Sequence, residues 1–319
     1  MKLRNIIVVS FSLALLTCFI FSTFAHAADF GIGKSSLTDA QAAGLEAARA
    51  AEAAIDGPAK LVLVFNEGAL AENAEDLLAG VAQVFDSSIT YGSNGYAVIA
   101  GDTSDATVAI LAVSANDISV SIATAEANAP EEDRPCGQAI GRSLAEAYAA
   151  AEDQGKFLLL LGDCHVPRDN DVVLGVRDVL GDDVTALGAA ALGGHTYIQG
   201  EVVQKSNVGI LVSGPFECGY SLKQDMSEEG LIESAREALT ESLRGKPEAA
   251  TIILIFDCGG RRGAMLKNGN FEDELAAMQE VAGDTPLFGF YGSGEIGRPV
   301  GEPSKGVGYH IGAGAILVE

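Results

Sequence analysis

An acid, a thiol, two glycines and two arginines occur together at positions 257 to 262 of this chain. They follow five consecutive apolar residues, Ile252–Phe256, which predict a strand buried on both faces. Polar side chains converge where such a strand ends, so we expect chemistry there. Arg261 offers the planar fork that binds the carboxylate of a zwitterionic amino acid, and Asp257, Asp163 or Glu295 could accept from its ammonium group. Alternatively, an arginine pairs with a nearby acid and closes the loop.

The same pattern occurs twice earlier in the chain. Asp163, Cys164 and His165 follow the apolar run that begins at position 157, and a weaker version, Asn66-Glu67, follows the run that begins at position 61. Matching Asp163-Cys164 to Asp257-Cys258 predicts one unit present three times. We expect the acidic residues at the ends of these strands to surround a common pocket.

Glycine-rich turns follow a second apolar strand in each unit. These turns are Gly92–Gly95, Gly193-Gly194-His195 and Gly292–Glu295. Ligands of α/β sheets bind beyond the carboxyl ends of strands, and glycines let backbone N–H groups approach an anion. Gly294 and Glu295 are therefore candidate ligand contacts. The alternative is a tight bend before the next strand.

Cysteine and histidine leave two other kinds of chemistry open. His165 and His195, with Cys164 or Asp163, have ligand types that bind metals. Cys164 or Cys258 with His195 as base would suit nucleophilic catalysis. The spacing fits no familiar metal or protease motif, and no cofactor is predicted.

Periodicity predicts the elements that position these residues. Alanine-rich amphipathic helices at Leu37–Ile55, Gly137–Asp153 and Glu228–Leu243 each precede a buried strand, and second helices follow at Glu72–Phe85, Asp171–Leu180 and Phe271–Val281. A second strand and a hairpin complete each unit. The predicted fold class is α/β, with mixed sheets built from three repeated helix-strand-helix-strand-hairpin units.

The N-terminus has the pattern of a secretory signal. Basic residues precede an apolar run from Ile6 to Phe24, and Ala25-His26-Ala27 is a cleavage box. We predict a signal peptide at residues 1–27 with cleavage after Ala27, export to the periplasm or medium, and no membrane insertion after cleavage. An uncleaved membrane anchor is the alternative.

Export changes how the cysteines are interpreted. Four cysteines remain after cleavage, and an even number in an oxidising compartment favours disulfides. The matched positions of Cys164 and Cys258 favour that pair, which leaves Cys136 with Cys218. Free thiols or metal ligands are the alternatives.

Composition limits the classes of partner. The chain has 319 residues, 44 acidic against 20 basic side chains, a net charge of −24 and no tryptophan. Such a charge argues against nucleic acid and anionic membrane surfaces, and the absence of tryptophan argues against a stacking platform.

The third unit resembles a known family. Asp257-Cys258-Gly259-Gly260-Arg261, followed by Gly289-Phe290-Tyr291 and Gly294-Glu295-Ile296-Gly297, is similar to the C-terminal part of FIST domains. The resemblance implies a FIST N-like region at 28–220 and a FIST C-like region at 221–319. It also implies a sensory, ligand-binding module of signal transduction, for which amino acids are a proposed ligand class.

Together these features predict an exported, non-enzymatic sensor that binds amino acids or small carboxylates and signals to a partner such as a membrane receptor. The predicted ligand contacts are Asp163, Cys164, His195, Asp257, Cys258, Arg261, Gly294 and Glu295. The main alternative is a thiol-dependent or metal-assisted enzyme that uses Cys164 or Cys258 with His195. An interaction scaffold without a ligand is a third possibility.

Overall fold

The computed structural model describes residues 29–101, 106–163 and 168–318. The predicted signal peptide, Cys164 and His165 lie outside these ranges. Within them, no helix is long and apolar enough to cross a membrane.

The described chain forms three similar units. The first unit contains β1 (Asp29–Ser35), α1 (Ala40–Ala53), β2 (Leu61–Glu67), α2 (Ala74–Val81), β3 (Thr90–Gly95), β4 (Val98–Ala100) and β5 (Val108–Ser114). The second contains β6 (Ser119–Glu126), α3 (Asp133–Ala150), β7 (Gly155–Gly162), α4 (Arg168–Leu180), β8 (Ala186–Ala190), β9 (Thr196–Ile198), β10 (Glu201–Val203) and β11 (Ser206–Gly214). The third contains β12 (Glu217–Lys223), α5 (Glu228–Ser242), β13 (Ala250–Cys258), α6 (Gly259–Asn268), α7 (Phe271–Ala282), β14 (Leu287–Gly292), β15 (Glu295–Gly297), β16 (Lys305–Val307) and β17 (Ile311–Leu317).

Each unit forms the main part of one sheet. The strand orders are β1-β5-β2-β3, β6-β11-β7-β8 and β12-β17-β13-β14. The pairs β2–β3, β7–β8 and β13–β14 are parallel, and the other pairs in these orders are antiparallel. The fold class is therefore confirmed as α/β, with mixed sheets built from three repeated units.

The strand that should begin each predicted hairpin does not pair within its own sheet. Strand β4 leaves the first unit and pairs with β14 of the third. Strand β9 pairs with β3 of the first unit, and β15 pairs with β8 of the second. Each unit thus gives a segment to a neighbour in a cyclic order, and these exchanged segments join the sheets.

The three sheets share one core. Along β2, Leu61, Leu63 and Phe65 face the other sheets, whereas Val62 and Val64 face helices α1 and α2. Strands β7 and β13 alternate in the same way. Because side chains alternate along a strand, an apolar run without polar interruptions fills both faces. Three strand ends consequently meet at one end of the shared core.

Local chemistry sets the helix starts. The side chain of Asp39 caps α1 by accepting a hydrogen bond from Ala42 N at 2.8 Å. Ser227 caps α5 by accepting from Gly230 N at 3.1 Å.

Candidate functional site

The strand register corrects the matching of the repeats. Val62, Leu158 and Ile253 pair with the equivalent residues Thr90, Ala186 and Leu287. By this register Glu67, Asp163 and Cys258 are equivalent, and Asp257 is equivalent to Asn66 and Gly162. The predicted equivalence of Asp163 and Asp257 is therefore wrong by one residue. Since successive side chains point to opposite faces, these two acids do not share a pocket.

Arg261 lies in a fully buried polar cluster behind β13. Its Nε donates to Asp257 Oδ1 at 2.8 Å, and Nη2 donates to Glu274 Oε1 and Leu231 O, both at 2.7 Å. Its Nη1 donates to Ser234 Oγ at 2.9 Å and to Asp225 O at 3.3 Å. All five N–H donors are used within the protein. Arg261 therefore stabilises the fold by pairing with buried acids, which was the alternative interpretation. It is not available for its predicted role, which was to bind the carboxylate of a ligand.

This cluster also explains where Asp257 lies. Its carboxylate accepts from Cys258 N at 2.6 Å and from Arg261, and the side chain is fully buried. Glu274 Oε2 accepts from the hydroxyl of Tyr291 at 2.9 Å. Burial raises the pKa of Asp257 and, together with the charge of Asp257, raises that of Glu274 well above its ordinary value. Asp257 therefore holds the backbone of Cys258 in place through this hydrogen bond and is not itself a ligand contact.

Cys258 ends β13 and begins α6. Its Sγ accepts hydrogen bonds from Gly260 N and Tyr309 N, both at 3.3 Å. Amide donors and a helix N-terminus favour a thiolate. Burial and the negative charge of Glu295 outweigh them, and the pKa of Cys258 rises to about 12. The thiol is consequently protonated at neutral pH.

Glu295 reaches the same place on a strand of the third unit that has joined the second sheet. It lies on the exchanged strand β15, which pairs with β8, and it has no solvent exposure. Its Oε2 accepts from His310 N at 3.1 Å, whereas Oε1 has no hydrogen-bond partner in the described part of the chain. Burial raises the pKa of Glu295 to about 9, against the opposing effect of the His310 amide. Glu295 is therefore a neutral acid at pH 7.

A cavity of about 210 Å³ opens beside Cys258. We call it the tyrosine pocket, because Tyr96 of the first unit and Tyr309 of the third unit line it. The other lining residues are Cys258, Gly260, Gly292, Ser293, Gly294 and Gly308. The rings of Tyr96 and Tyr309 pack on the backbone of Gly259 and Gly260, where a Cβ atom would lie 2.1 Å and 2.6 Å from ring carbons. Glycine is required there for the rings to approach.

The other predicted contacts lie elsewhere. His195 O accepts from Asn94 N at 3.4 Å where the first and second units meet, and His195 does not line the tyrosine pocket. Asp163 accepts a hydrogen bond from Lys205 N. The structure thus brings Cys258, Gly294 and Glu295 together and separates them from Asp163 and His195. Among the described residues, no group of three or more histidine, cysteine or acidic side chains could hold a metal ion.

Sequence reasoning did not find the two tyrosines. Tyr96 follows the glycine turn of the first unit, and Tyr309 follows Gly308 with a left-handed φ of 61°. A non-glycine residue in that conformation is uncommon and tends to occur at functional sites. Only the exchange of β4 brings Tyr96 to the third unit, so no pattern within one repeat indicates it.

The predicted disulfides are not present. Cys136, Cys218 and Cys258 are free thiols. Cys136 Sγ accepts from Asn207 Nδ2 and lies between α3 and the second sheet, whereas Cys218 lies on β12 of the third sheet. Helix α3, which carries Cys136, packs on the second sheet, whereas β12, which carries Cys218, belongs to the third, so these elements do not place the two sulfur atoms together. Cys258 is instead held by two backbone amides.

Glu295 should give folding a specific pH dependence. Its folded pKa of about 9 lies above its ordinary value of 4.5. Its contribution to stability is therefore complete below about pH 4.5 and is lost as pH rises toward 9. Between pH 6 and 8, we expect the free energy of unfolding to fall by about 2–3 kcal/mol more in the parent protein than in Glu295→Gln. Urea unfolding at several pH values measures this difference.

Glu201→Gln, an exposed substitution on β10, is the control and should keep the parental dependence of stability on pH. If Glu295→Gln also kept the parental dependence, the raised pKa would not belong to Glu295.

Comparison with known proteins supports the fold and assigns a family. Among curated proteins, none matches this chain. A solved structure of a cyanuric acid hydrolase, described as an evolutionary innovation by structural concatenation, has a TM-score of 0.51 and 13% identity; the match covers 91% of this chain and 99% of that one. A cyanuric acid hydrolase from A. caulinodans has a TM-score of 0.48 and 14% identity, with the same coverage. At this identity, the first likeness concerns the fold alone.

Family models match most of the chain. The FIST N domain matches residues 60–238, and the FIST C domain matches residues 187–298. The C-terminal match contains Cys258, Gly294 and Glu295, and the N-terminal match contains Tyr96. FIST domains are generally small-ligand sensory domains of signal transduction. The chain therefore belongs to the FIST family.

Proposed function

We propose that this chain is an exported sensor whose small ligand occupies the tyrosine pocket. The observation that carries the proposal is the pocket itself: a cavity of about 210 Å³ between two units, with aromatic walls, a glycine-rich rim and the buried acid Glu295 beside it. Ligand sites are typically concave, largely apolar and furnished with a few convergent polar groups.

The position of the pocket suits a sensor. Tyr96 N donates to Tyr291 O at 2.8 Å, and this bond fastens the exchanged segment of the first unit to the third. A ligand between Tyr96 and Tyr309 would therefore contact both units at once. A ligand shifts a conformational equilibrium only through different contacts in the two states, and a junction of two units provides such a difference.

The proposed ligands are amino acids or small carboxylates, which fit the volume. The sequence of the N-terminus supports export, and a membrane receptor is the proposed partner. The role of sensor is preferred to that of enzyme because Cys258 and Glu295 both carry protons at pH 7.

Thermal-shift screening of the mature protein with amino acids, amines and small carboxylates tests the proposal. A ligand that binds only the folded protein at about 100 times its Kd should stabilise it by about 2.7 kcal/mol and raise the melting temperature. Tyr96→Ala and Tyr309→Ala should each abolish the shift.

A matched control is Leu37→Ala, which shortens an exposed apolar side chain away from the pocket. It should retain the full shift. A ligand whose shift is the same in both tyrosine variants and in the control would place binding elsewhere and contradict the site.

A thiol-dependent enzyme is the second candidate, and one observation favours it. Cys258 Sγ lies on the pocket wall and accepts two backbone N–H groups, as a reactive thiolate would. His195 does not line the pocket, and Glu295, which lies next to Cys258, would have to lose its own proton before it could act as the base.

Alkylation separates the two candidates. With a pKa near 12, Cys258 should react with iodoacetamide at pH 7.5 at least about tenfold more slowly than free cysteine. Peptide mass spectrometry measures the rate at this position, and Cys258→Ser confirms the assignment of the peptide. Alkylation of Cys258 faster than free cysteine would favour the enzyme.

A further inference from the structure

Three features of the tyrosine pocket specify the charge of its ligand. The inference rests on the proposed function, because it concerns the same pocket. We propose that the pocket selects a ligand carrying a primary ammonium group, and that the Cys258–Glu295 pair releases one proton when this ligand binds.

The first feature is the absence of a cationic side chain. Among the described residues, no lysine, arginine or histidine lines the pocket. Arg261 uses every donor within its buried cluster, and Arg262 stacks on the ring of Phe271 at 5.2 Å. One N–H group at the N-terminus of α6 is already used, because Gly260 N donates to Cys258 Sγ. A carboxylate in the pocket would find no cationic side chain among the described lining residues.

The second feature is an unused acceptor. Glu295 lies fully buried behind Cys258, with which its side chain interacts, and it does not line the pocket itself; its Oε1 meets no hydrogen-bond donor of good geometry among the described residues. A buried polar atom without a partner is costly, and it is rare in native proteins. A cation at the Cys258 wall would favour the ionised carboxylate and so offset the cost of its burial.

The third feature is aromatic. Tyr96 and Tyr309 remain 39% and 53% exposed, although both are large and line the same cavity. The face of an aromatic ring attracts an ammonium group, with an energy of about 0.5–2 kcal/mol. Plain carboxylates gain nothing from these faces.

The surroundings of Glu295 determine the proton balance. Cys258 and Asp257 approach from β13, Asp169 from the start of α4, and the amide of His310 from the segment before β17. The charges of both aspartates raise the pKa of Glu295. Burial, together with the charges of Lys305 and Arg261, lowers the pKa of the His310 side chain. The pair holds two protons at pH 7. When an ammonium ion binds at the Cys258 wall, the carboxyl O–H bond of Glu295 breaks, its proton goes to the buffer, and the carboxylate left behind the wall balances the charge of the ammonium group.

Isothermal titration calorimetry of the mature protein at pH 7.5 tests the inference. The probes are butylammonium chloride and sodium butyrate, which match in length and differ in charge. We expect butylammonium to bind, and its enthalpy in phosphate and Tris buffers to differ by the amount that corresponds to release of about one proton. Butyrate should bind at least about tenfold more weakly.

Two variants complete the test. Glu295→Gln should abolish proton release and weaken butylammonium binding about tenfold or more. Its melting temperature at pH 6 shows whether it folds. If it does not fold, Tyr309→Leu replaces it and should weaken butylammonium binding without strengthening butyrate binding. Release of no proton by the parent protein, or equal binding of the two probes, would overturn the inference.

The two proposals fail in different ways. If carboxylates shift the melting temperature through Tyr96 and Tyr309 while amines do not, the pocket is a ligand site and the ammonium preference is wrong. If no ligand depends on the two tyrosines, the proposed function itself fails.

Discussion

Replacing Arg261 by methionine is expected to lower the free energy of unfolding by about 3–5 kcal/mol. The guanidinium is the positive charge shared by the buried carboxyl groups of Asp257 and Glu274, at 2.8 and 2.7 Å. Methionine fills similar space but leaves both acids without a counter-ion, and two backbone carbonyls and the hydroxyl of Ser234 also lose a donor. Urea unfolding at pH 7 measures the loss.

The neighbouring arginine supplies the control. Arg262 is half-buried and stacks on Phe271, so Arg262→Met should cost no more than about 1 kcal/mol. Stability of Arg261→Met equal to that of Arg262→Met would contradict the structural role of Arg261. If Arg261→Met were as stable as the parent protein but no longer bound ligand, the original prediction that Arg261 binds the carboxylate of the ligand would be supported.

Replacing Gly289 by alanine is expected to be similarly damaging, with a loss of about 3–5 kcal/mol. A Cβ atom at this position would lie 1.7 Å from Ile255 O on the adjacent strand β13. The equivalent glycines Gly92 and Gly188 would each place a Cβ atom 1.9 Å from the matching carbonyl oxygen of β2 or β7. The parallel strands of every unit therefore approach more closely than a side chain allows. Alanine must push β14 from β13 and so disturb Tyr291 and Gly292 at the pocket rim.

The same substitution on α6 provides the matched control. Gly263 is exposed within this helix, and a Cβ atom there would meet nothing within 4 Å. Gly263→Ala should leave stability unchanged or raise it by about 0.5–1 kcal/mol. Thermal unfolding of the two alanine variants compares them. A melting temperature of Gly289→Ala at the parental value would show that the strands separate without cost.

The third unit is specialised within a threefold plan. The equivalent strand ends carry Glu67 in the first unit, Asp163 in the second and Cys258 in the third. Only Cys258 lies against the tyrosine pocket, because α6 follows it directly. In the first unit a short 3₁₀ helix, Gly68–Asn73, occupies the corresponding position.

Much of the fold could be predicted from patterns within each repeat. The buried strands β2, β7 and β13, the helices on either side of them and the parallel crossovers were predicted because apolar runs and helical periodicity are local properties. The first strand of each unit was missed. Strand β6, Ser119–Glu126, is partly exposed and rich in alanine and serine, so its alternation of side chains is weak.

The site was only partly predictable. Cys258, Gly294 and Glu295 were found because they end predicted strands, and the structure places them together. Arg261 was assigned the wrong role: Asp257, four residues earlier, left pairing open as the alternative, but the other partners Glu274 and Ser234 lie 13 and 27 residues away and leave no local sign. The match of Asp163 to Asp257 was wrong by one residue. Both residues belong to an Asp-Cys dipeptide, but the dipeptide does not show which face of the strand each residue occupies.

The sequence by itself determined the family, the three repeats and the strand ends where polar residues collect. It could do so because these properties depend on neighbours along the chain, through the alternation of strands and the period of helices. Only the tertiary structure decided which side chains meet at the tyrosine pocket. Tyr96 reaches Cys258 through the pairing of β4 with β14, and Glu295 reaches it through the pairing of β15 with β8. Hydrogen bonds between strands nearly 200 and more than 100 residues apart thus set the pocket, and no local pattern specifies them.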